Sequence, residues 1–416
     1  MTQGRGAFAL EGLAPAQVDQ AGPVLYALAT GMDILLFDLD GVLLNSAGYH
    51  RSLLETVRQV SLALGYGDRS LTAQDIEAFE LRDITAEWDS SAILAALLLV
   101  EAWRTEPEIT LPRRPPFQAR PASRRSFPDV QSFLREMDRG EGYGPLARAE
   151  SLLTSRLDDA PPSRASAVRS ILRGARDLNE SPTFWLIQLF NLGSRRFEEI
   201  YGLAPGMETE SYLETYDLPT LTLGERTALM TWLDRPDRAA AIVTNRPSAS
   251  LRAGPSTSPK GIFNTPEAEI GARASGVERL PLVAAGDLGW RAAALGLDPE
   301  AFLKPSPVHA LAGIRRALSA EGDCIEAAIR LEQAGEMGSV FRGLQDSRAS
   351  LFEDAPKGHR AARSAAQVLR AHGIRIELRL YGIAAGRERA EALRGMGAEV
   401  HPDVRTALDA AIPGWR

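Results

Sequence analysis

Cysteine and histidine, which most often build disulfides and zinc sites, are scarce in this chain of 416 residues. A single cysteine, Cys324, excludes an intramolecular disulfide framework and a cysteine-based zinc knuckle, and it is typical of a reducing compartment. The five histidines lie far apart along the chain and offer no local spacing of metal ligands. We therefore look to oxygen donors for any metal site.

Long apolar runs are also missing. The longest, Ala92–Val100, is about half of a membrane span, and the N-terminal stretch lacks the charged and apolar regions of a signal peptide. The net charge of −7 argues against a nucleic-acid or anionic-membrane partner engaged through overall charge. We expect a soluble, cytoplasmic protein without nucleic-acid or membrane partners.

The pattern of apolar residues predicts an α/β fold with a helical insertion. Ile34–Asp38 is a continuous apolar segment that ends in a charged residue, which is typical of a strand buried on both faces. Residues 46–235 show helical spacing without a convincing alternating strand. After residue 236, strand candidates alternate with helices, as in a parallel sheet covered on both faces. These candidates are residues 239–245, 280–285, 349–354, 374–382 and 398–401.

The expected organisation is therefore a Rossmann-like α/β core formed by residues 1–45 and 236–416, interrupted by an all-helical cap at 46–235. Residues 1–32 are read as an N-terminal extension. Within the cap, residues 105–128 are rich in proline and arginine, which favours a solvated, irregular excursion over a binding site for an anion or a partner. The arginines are Arg113, Arg114, Arg120, Arg124 and Arg125.

Acidic residues stand at the ends of two predicted strands. Asp38 and Asp40 end the first, and the pair Glu353 and Asp354 ends another. Ligands of open α/β sheets bind outside the carboxyl ends of the strands, so these acids are expected at one rim. Two like charges at ~4 Å repel by roughly 4 kcal/mol at an effective dielectric of about 20, and a cation removes that repulsion. Oxygen ligands without histidine or cysteine indicate Mg²⁺.

Two further strand-end signals lie between these acids. Thr244 and Asn245 offer a hydroxyl and amide donors, and Lys304 precedes Pro305 in the segment AFLKPSP. A metal, a lysine, a hydroxyl and backbone amides together form a cradle for a phosphoryl group.

The segments FDLDGVLLN, IVTNRP, FLKPSP and LFEDAPKG, in this order, resemble the four motifs of the haloacid dehalogenase superfamily. The resemblance covers residues 33–50 and 236–416, while the insertion resembles the family's helical cap only in location and helicity. An aspartate at position 40 is similar to the phosphatases and phosphomutases of the family rather than to its dehalogenases or its P-type ATPases.

The resemblance implies a role for each matching residue. Asp38 would be the nucleophile that forms an aspartyl-phosphate, and Asp40 would be the general acid and base, with its backbone carbonyl on Mg²⁺. Thr244 and the Asn245 amide would hold phosphoryl oxygens. Lys304 would neutralise the charge between Asp38 and the phosphate.

The resemblance also implies that Asp354 ligates Mg²⁺, with Glu353 ligating directly or through water, and that the Lys304–Pro305 peptide is cis. Ala355 departs from the Ser or Thr that often follows the acidic pair. For Lys357 a solvated position at a helix start is favoured over contact with a substrate anion. His50 is either a hinge residue or a packing residue of the first cap helix.

We therefore expect an Mg²⁺-dependent phosphatase that hydrolyses a small phosphorylated metabolite beneath a helical cap. One alternative is a phosphomutase, which transfers the phosphoryl group within a sugar phosphate. The other is a non-catalytic binding protein that retains the fold.

Overall fold

The computed structural model describes residues 31–82, 84–123, 125–139, 144–249, 264–319 and 322–416. Most of the expected N-terminal extension, and Arg124 of the proline- and arginine-rich excursion, lie outside these residues. The strands are β1 (Asp33–Phe37), β2 (Leu44–Ser46), β3 (Asp217–Pro219), β4 (Arg238–Val243), β5 (Leu282–Val283), β6 (Arg348–Glu353), β7 (Glu377–Ile383) and β8 (Glu399–His401).

The helices carry most of the described chain. In the first half they are α1 (Ala47–Ala63), α2 (Ala73–Glu80), α3 (Glu87–Trp103), α4 (Val130–Met137), α5 (Pro145–Ser155), α6 (Pro162–Arg173), α7 (Pro182–Leu192), α8 (Ser194–Tyr201) and α9 (Tyr212–Tyr216). In the second half they are α10 (Leu223–Leu233), α11 (Glu267–Ser275), α12 (Ala285–Ala294), α13 (Pro307–Leu318), α14 (Cys324–Ala334), α15 (Ser339–Arg342), α16 (Pro356–Ala371), α17 (Arg387–Gly395) and α18 (Val404–Ala411).

The core is a six-stranded parallel sheet in the order β5-β4-β1-β6-β7-β8, which confirms the predicted fold class. Strand β1 lies in the middle, and its side chains alternate between two apolar clusters. Ile34 and Leu36 pack on one face of the sheet, whereas Leu35 and Phe37 pack on the other. This alternation explains why the segment is apolar at successive positions, because both faces of a central parallel strand are covered.

The strands and helices expected after residue 236 are present with small shifts at their ends. Three helices, α13, α14 and α15, lie between Lys304 and Asp354. Helix α13 begins at Pro307, where the preceding Ser306 side chain accepts the backbone N–H of Val308.

A helical block, called the cap below, lies between β2 and β3 and comprises α1 to α9. Its own apolar cluster is built on α1 and α3, and α3 is buried over most of its length. The described residues of the excursion at 105–128 form neither helix nor strand, as expected. Three of its arginines pair with glutamates, as Arg120 does with Glu106. No helix within the described residues is both long and apolar enough to cross a membrane.

Two features of this block differ from the expectation. Strand β3 pairs antiparallel with β2, with Ser46 opposite Asp217, so the entry and the exit of the helical block are joined side by side. Three residues are too few to show an alternating pattern, which is why the sequence did not reveal β3. Helix α10 packs Leu229 and Trp232 into the apolar cluster on one face of the central sheet.

Candidate functional site

The three central strands bring the predicted site residues to one edge of the sheet. Strand β1 is followed directly by Asp38, its neighbour β4 by Thr244, and its other neighbour β6 ends at Glu353. Parallel strands end at the same edge, so residues more than three hundred positions apart meet there. The convergence that the sequence predicted is therefore present.

Three carboxylates form a tight cluster at this edge. One oxygen from each of Asp38, Glu353 and Asp354 lies within 4.8 Å of the other two. Burial, and then the neighbouring Glu353, raise the pKa of Asp38 to about 7 in spite of Lys304. Burial, and then Asp38, raise the pKa of Asp354 to about 7. The site therefore concentrates negative charge that is costly without a cation.

Lys304 supplies part of the compensating charge. Its Nζ lies 2.9 Å from Asp38 Oδ1 and donates to Glu353 Oε2 at 2.7 Å. Burial alone would lower the pKa of Lys304, but Asp38 and Glu353 hold that pKa above its ordinary value. Asn245 Oδ1 accepts the backbone N–H of Lys304 at 3.2 Å, and the Lys304–Pro305 peptide is cis, which confirms that prediction.

Two glycines allow the loops to approach the cluster. Gly41 has φ +69°, and a side chain there would collide with the carboxylate of Asp354. A side chain at Gly358, in the first turn of α16, would collide with the carboxylate of Glu353. Both positions therefore bring the backbone within contact distance of the acids.

Asp40 lies beside this cluster, and its carboxylate is bound by Arg246, which was not among the predicted site residues. Arg246 Nε lies 2.9 Å from Asp40 Oδ2, and its Nη2 lies 2.5 Å from Oδ1. Ser46 also donates its hydroxyl to Asp40. Burial would raise the pKa of Asp40, but Arg246 outweighs it and holds that pKa below its usual value. Arg246 stands directly after Asn245 in the segment IVTNRP, but nothing in the sequence links it to Asp40.

Arg246 connects Asp40 to the strands at the base of the helical block. Its side chain is 1% exposed, and Nη2 also donates to Asp217 Oδ2 at 2.8 Å. Asp217 belongs to β3 and accepts the backbone N–H of Gly48 at 2.9 Å. The guanidinium also stacks over the ring of Tyr49 in α1, 4.6 Å from its centre. The base of the cap and the site thus share one buried charged network.

Glu267 extends this network into the core of the interface. It is fully buried at the start of α11, and one carboxylate oxygen accepts the Tyr49 hydroxyl at 2.5 Å. The other accepts Gln188 Nε2 of α7 at 3.0 Å. Burial raises the pKa of Glu267 against these two hydrogen bonds. Two helices of the cap are therefore anchored on one buried carboxylate.

Thr244 is buried and contributes to the geometry of its own loop. Its hydroxyl oxygen accepts the backbone N–H of Arg246 at 3.2 Å, and its own N–H donates to Val283 on β5. The hydroxyl proton is left to donate elsewhere. The position at the end of β4 is the one that the sequence predicted.

The opposite edge of the cap touches the site through exposed side chains. Arg389 of α17 donates to Asp354 Oδ2 at 3.1 Å and to Glu80 Oε2 of α2 at 2.7 Å. Glu80 also lies 3.1 Å from the exposed His50, which decides neither earlier interpretation of that histidine. Lys357 Nζ donates to the Thr85 hydroxyl at 3.1 Å. The contacts of Arg389 with Glu80 and of Lys357 with Thr85 cross from the core to the cap.

The cap segment between α2 and α3 carries more polar groups near this edge. Burial raises the pKa of Glu87 to about 7, with His50 opposing the shift and Asp40 adding to it. Trp88 packs edge-on against Phe184, and its buried indole N–H has no acceptor within the described residues. Asp83 of the same segment lies outside the described residues.

The donor set at the cluster suits a hard divalent cation. Asp38, Glu353 and Asp354 offer carboxylate oxygens at a mutual separation that one ion can span, and histidine and cysteine are absent from that cluster. Burial is the main cause of the raised pKa values of Asp38 and Asp354, and repulsion between neighbouring acids adds to it. A bound cation would relieve that repulsion.

Comparison with known proteins supports the fold without identifying a family. No family model matches the chain, and no curated protein matches it. Target ZR25 of the Northeast Structural Genomics Consortium, an X-ray structure, is 15% identical with a TM-score of 0.58, covering 92% of this chain and 100% of that one. Phosphatase Tt82 from Thermococcus thioreducens is 13% identical with a TM-score of 0.37, covering 87% and 99%. The first likeness shows a shared fold.

Proposed function

We propose that this protein is a phosphatase of the haloacid dehalogenase superfamily that hydrolyses a small phosphate monoester with Mg²⁺. The observation that carries the proposal is the cluster at the end of β1, where Asp38 lies within reach of Glu353, Asp354 and Lys304. A carboxylate beside a lysine and a second and third acid matches the requirements of phosphoryl transfer.

In the proposed reaction an oxygen of Asp38 attacks phosphorus, and the bond from phosphorus to the leaving oxygen breaks. Asp40 gives its proton to that leaving oxygen. Asp40 then takes a proton from a water molecule, which attacks phosphorus, breaks its bond to Asp38 and releases inorganic phosphate. The donors of Lys304, Thr244 and the Asn245 amide stabilise the oxygens of the phosphoryl group.

Mg²⁺ would be held by Asp38, Asp354 and the backbone carbonyl of Asp40, with Glu353 binding directly or through water, and it would stabilise the charge on the phosphoryl oxygens. Lys304 stays protonated at neutral pH because two carboxylates face it.

Asp40 sets a condition on this mechanism. A general acid needs a proton, whereas the bidentate contact with Arg246 favours the ionised form. We infer that the described conformation is a resting one and that Asp40 turns from Arg246 towards the substrate when it donates its proton. The second half of the reaction, in which Asp40 acts as base, starts from the ionised form that Arg246 favours.

The experiment is hydrolysis of p-nitrophenyl phosphate with and without Mg²⁺. We expect release of inorganic phosphate that a chelator stops, and Asp38→Asn should abolish turnover because an amide cannot form the covalent intermediate. Asp33→Asn, at the other end of β1 where Asp33 pairs with Arg348, is the matched control and should retain activity.

Both variants should still unfold in one cooperative thermal transition, which shows that each is folded. Turnover by the Asp38 variant, or activity that persists without a divalent cation, would contradict the proposal. An isomerised sugar phosphate in place of inorganic phosphate would indicate the phosphomutase alternative.

A further inference from the structure

Lysine is almost absent from this chain. The sequence contains 44 arginines but three lysines, Lys260, Lys304 and Lys357. Lys304 lies in the acidic cluster, and Lys357 follows Asp354 by three positions. Arginine serves almost everywhere else as the positive charge, so Lys357 is an exception to the usage of the chain.

The position of Lys357 brings it close to the acidic cluster. It lies in the first turn of α16, next to Gly358, whose backbone is in contact range of the Glu353 carboxylate. Its side chain is half-buried, and its Nζ reaches across to the Thr85 hydroxyl in the cap. The ammonium group therefore bridges core and cap, and the Lys357 backbone adjoins Gly358, which packs against Glu353.

The charge of Lys357 distinguishes it from the other cations around the site. Lys304 faces Asp38 and Glu353, Arg246 faces Asp40, and Arg389 faces Asp354. Within the described part of the chain, no carboxylate lies within the 4.0 Å of an ion pair from Lys357. A hydroxyl satisfies one of its three donors, so its positive charge remains available to a ligand.

We propose that Lys357 is a specificity residue that binds a second anionic group, a carboxylate or a second phosphate, on the substrate. This inference rests on the proposed function, because the first phosphate must occupy the cluster at Asp38. The Thr85 hydroxyl would be displaced or would share the anion with Lys357, so that the bound substrate joins the cap to the core. The substrate class is thus a phosphate monoester that carries a further acidic group.

The test compares esters that differ in the second group. 2-Phosphoglycolate and 3-phosphoglycerate carry a carboxylate, fructose 1,6-bisphosphate carries a second phosphate, and glycerol 3-phosphate and p-nitrophenyl phosphate carry neither. We expect the parent protein to prefer one of the acidic esters, and Lys357→Met to lower kcat/KM for that ester about tenfold to a hundredfold relative to glycerol 3-phosphate, mainly through KM.

Lys357→Arg should retain most of the preference because it keeps the charge. Arg360→Met, an exposed position of the same helix, is the matched control and should leave the preference unchanged. An equal loss for all esters in Lys357→Met would show that Lys357 acts only as a link to the cap, and would overturn the inference.

A parent protein that hydrolyses p-nitrophenyl phosphate but does not prefer acidic esters would overturn the inference alone. A parent protein that hydrolyses none of the esters with Mg²⁺ would overturn both the inference and the proposed function. Selective loss on the bisphosphate or on the carboxylates would identify which anion the lysine binds.

Discussion

Two arginines each hold a carboxylate of the site, but they do so in different surroundings. The Arg246 side chain is 1% exposed, binds Asp40 through two nitrogens and also pairs with the fully buried side chain of Asp217. The Arg389 side chain is 45% exposed and reaches Asp354 through a single 3.1 Å contact, with Glu80 as its second partner. The Arg246–Asp217 pair belongs to the interior, with the Asp40 side chain 34% exposed at its edge. The Arg389 pair lies at the surface.

This difference in burial indicates which side of the cap can move away from the core. A buried pair that loses one member leaves an unpaired charge in a poor solvent, whereas water replaces either member of an exposed pair at little cost. We therefore expect the cap to pivot on the side of Arg246 and Glu267 and to open on the side of Arg389 and Lys357. Substitutions of Arg246 and Arg389 test the two sides of the cap, and an Mg²⁺ titration tests the acidic cluster between them.

Arg246→Met should have the largest effect. It leaves Asp40 and Asp217 without their counter-ion, and the free energy of unfolding should fall by about 3–5 kcal/mol, as measured by urea denaturation. Arg235→Met is the control, because Arg235 is 62% exposed and pairs with Asp237 at the surface. A loss below about 1 kcal/mol in Arg246→Met would remove the distinction between the two sides.

Mg²⁺ should stabilise the protein in a pH-dependent manner. Asp38 and Asp354 have pKa values near 7 in the fold, above the value near 3.9 of unfolded chains, so the cation-free protein loses stability as pH rises from about 4 to 7. The ion restores this loss only where the acids are ionised. At a hundred times its Kd it should add about 2.7 kcal/mol.

The measurement is thermal unfolding with and without Mg²⁺ at pH 5 and pH 8. The shift in Tm should be larger at pH 8, and Asp354→Asn should remove most of it. An equal shift at both pH values, or one that survives in Asp354→Asn, would contradict a site built on these acids.

Arg389→Gln should have the smallest effect on stability, about 0.2–1 kcal/mol, and the effect should fade at high salt. Amides of α2 should exchange hydrogen faster in this variant, because the link from Glu80 to the core is lost. Arg387→Gln is the control on the same helix, where Arg387 pairs with Glu391 in solvent. Unchanged exchange in α2 would mean that the cap is not held at this edge.

The elements of the core could be read from the sequence because their signals are local. β1 is apolar from Ile34 to Phe37 since both of its faces are covered, and α13 begins with a capping serine and a proline. The acids at the strand ends could also be placed, because parallel strands end at one edge. Strand β3 was not predicted, because three residues are too few to show the alternating apolar pattern of a strand.

The partners of these acids were harder to foresee. Arg246 was visible beside Asn245, but its contact with Asp40 joins residues 206 positions apart, and no spacing rule links them. Glu80 and Arg389 are 309 positions apart and meet only because the cap lies over the core. Their pairing depends on how the cap and the core are placed relative to each other.

The sequence by itself determined the parallel sheet, the helical insertion and the edge at which the acids meet, since each follows from short-range patterns of burial, capping and strand order. The tertiary structure alone decided that Asp40 is held by Arg246 and that Lys357 faces the cap rather than a carboxylate. The reason is physical: secondary structure depends on neighbours in the chain, whereas the protonation and pairing of a buried charge depend on neighbours in space.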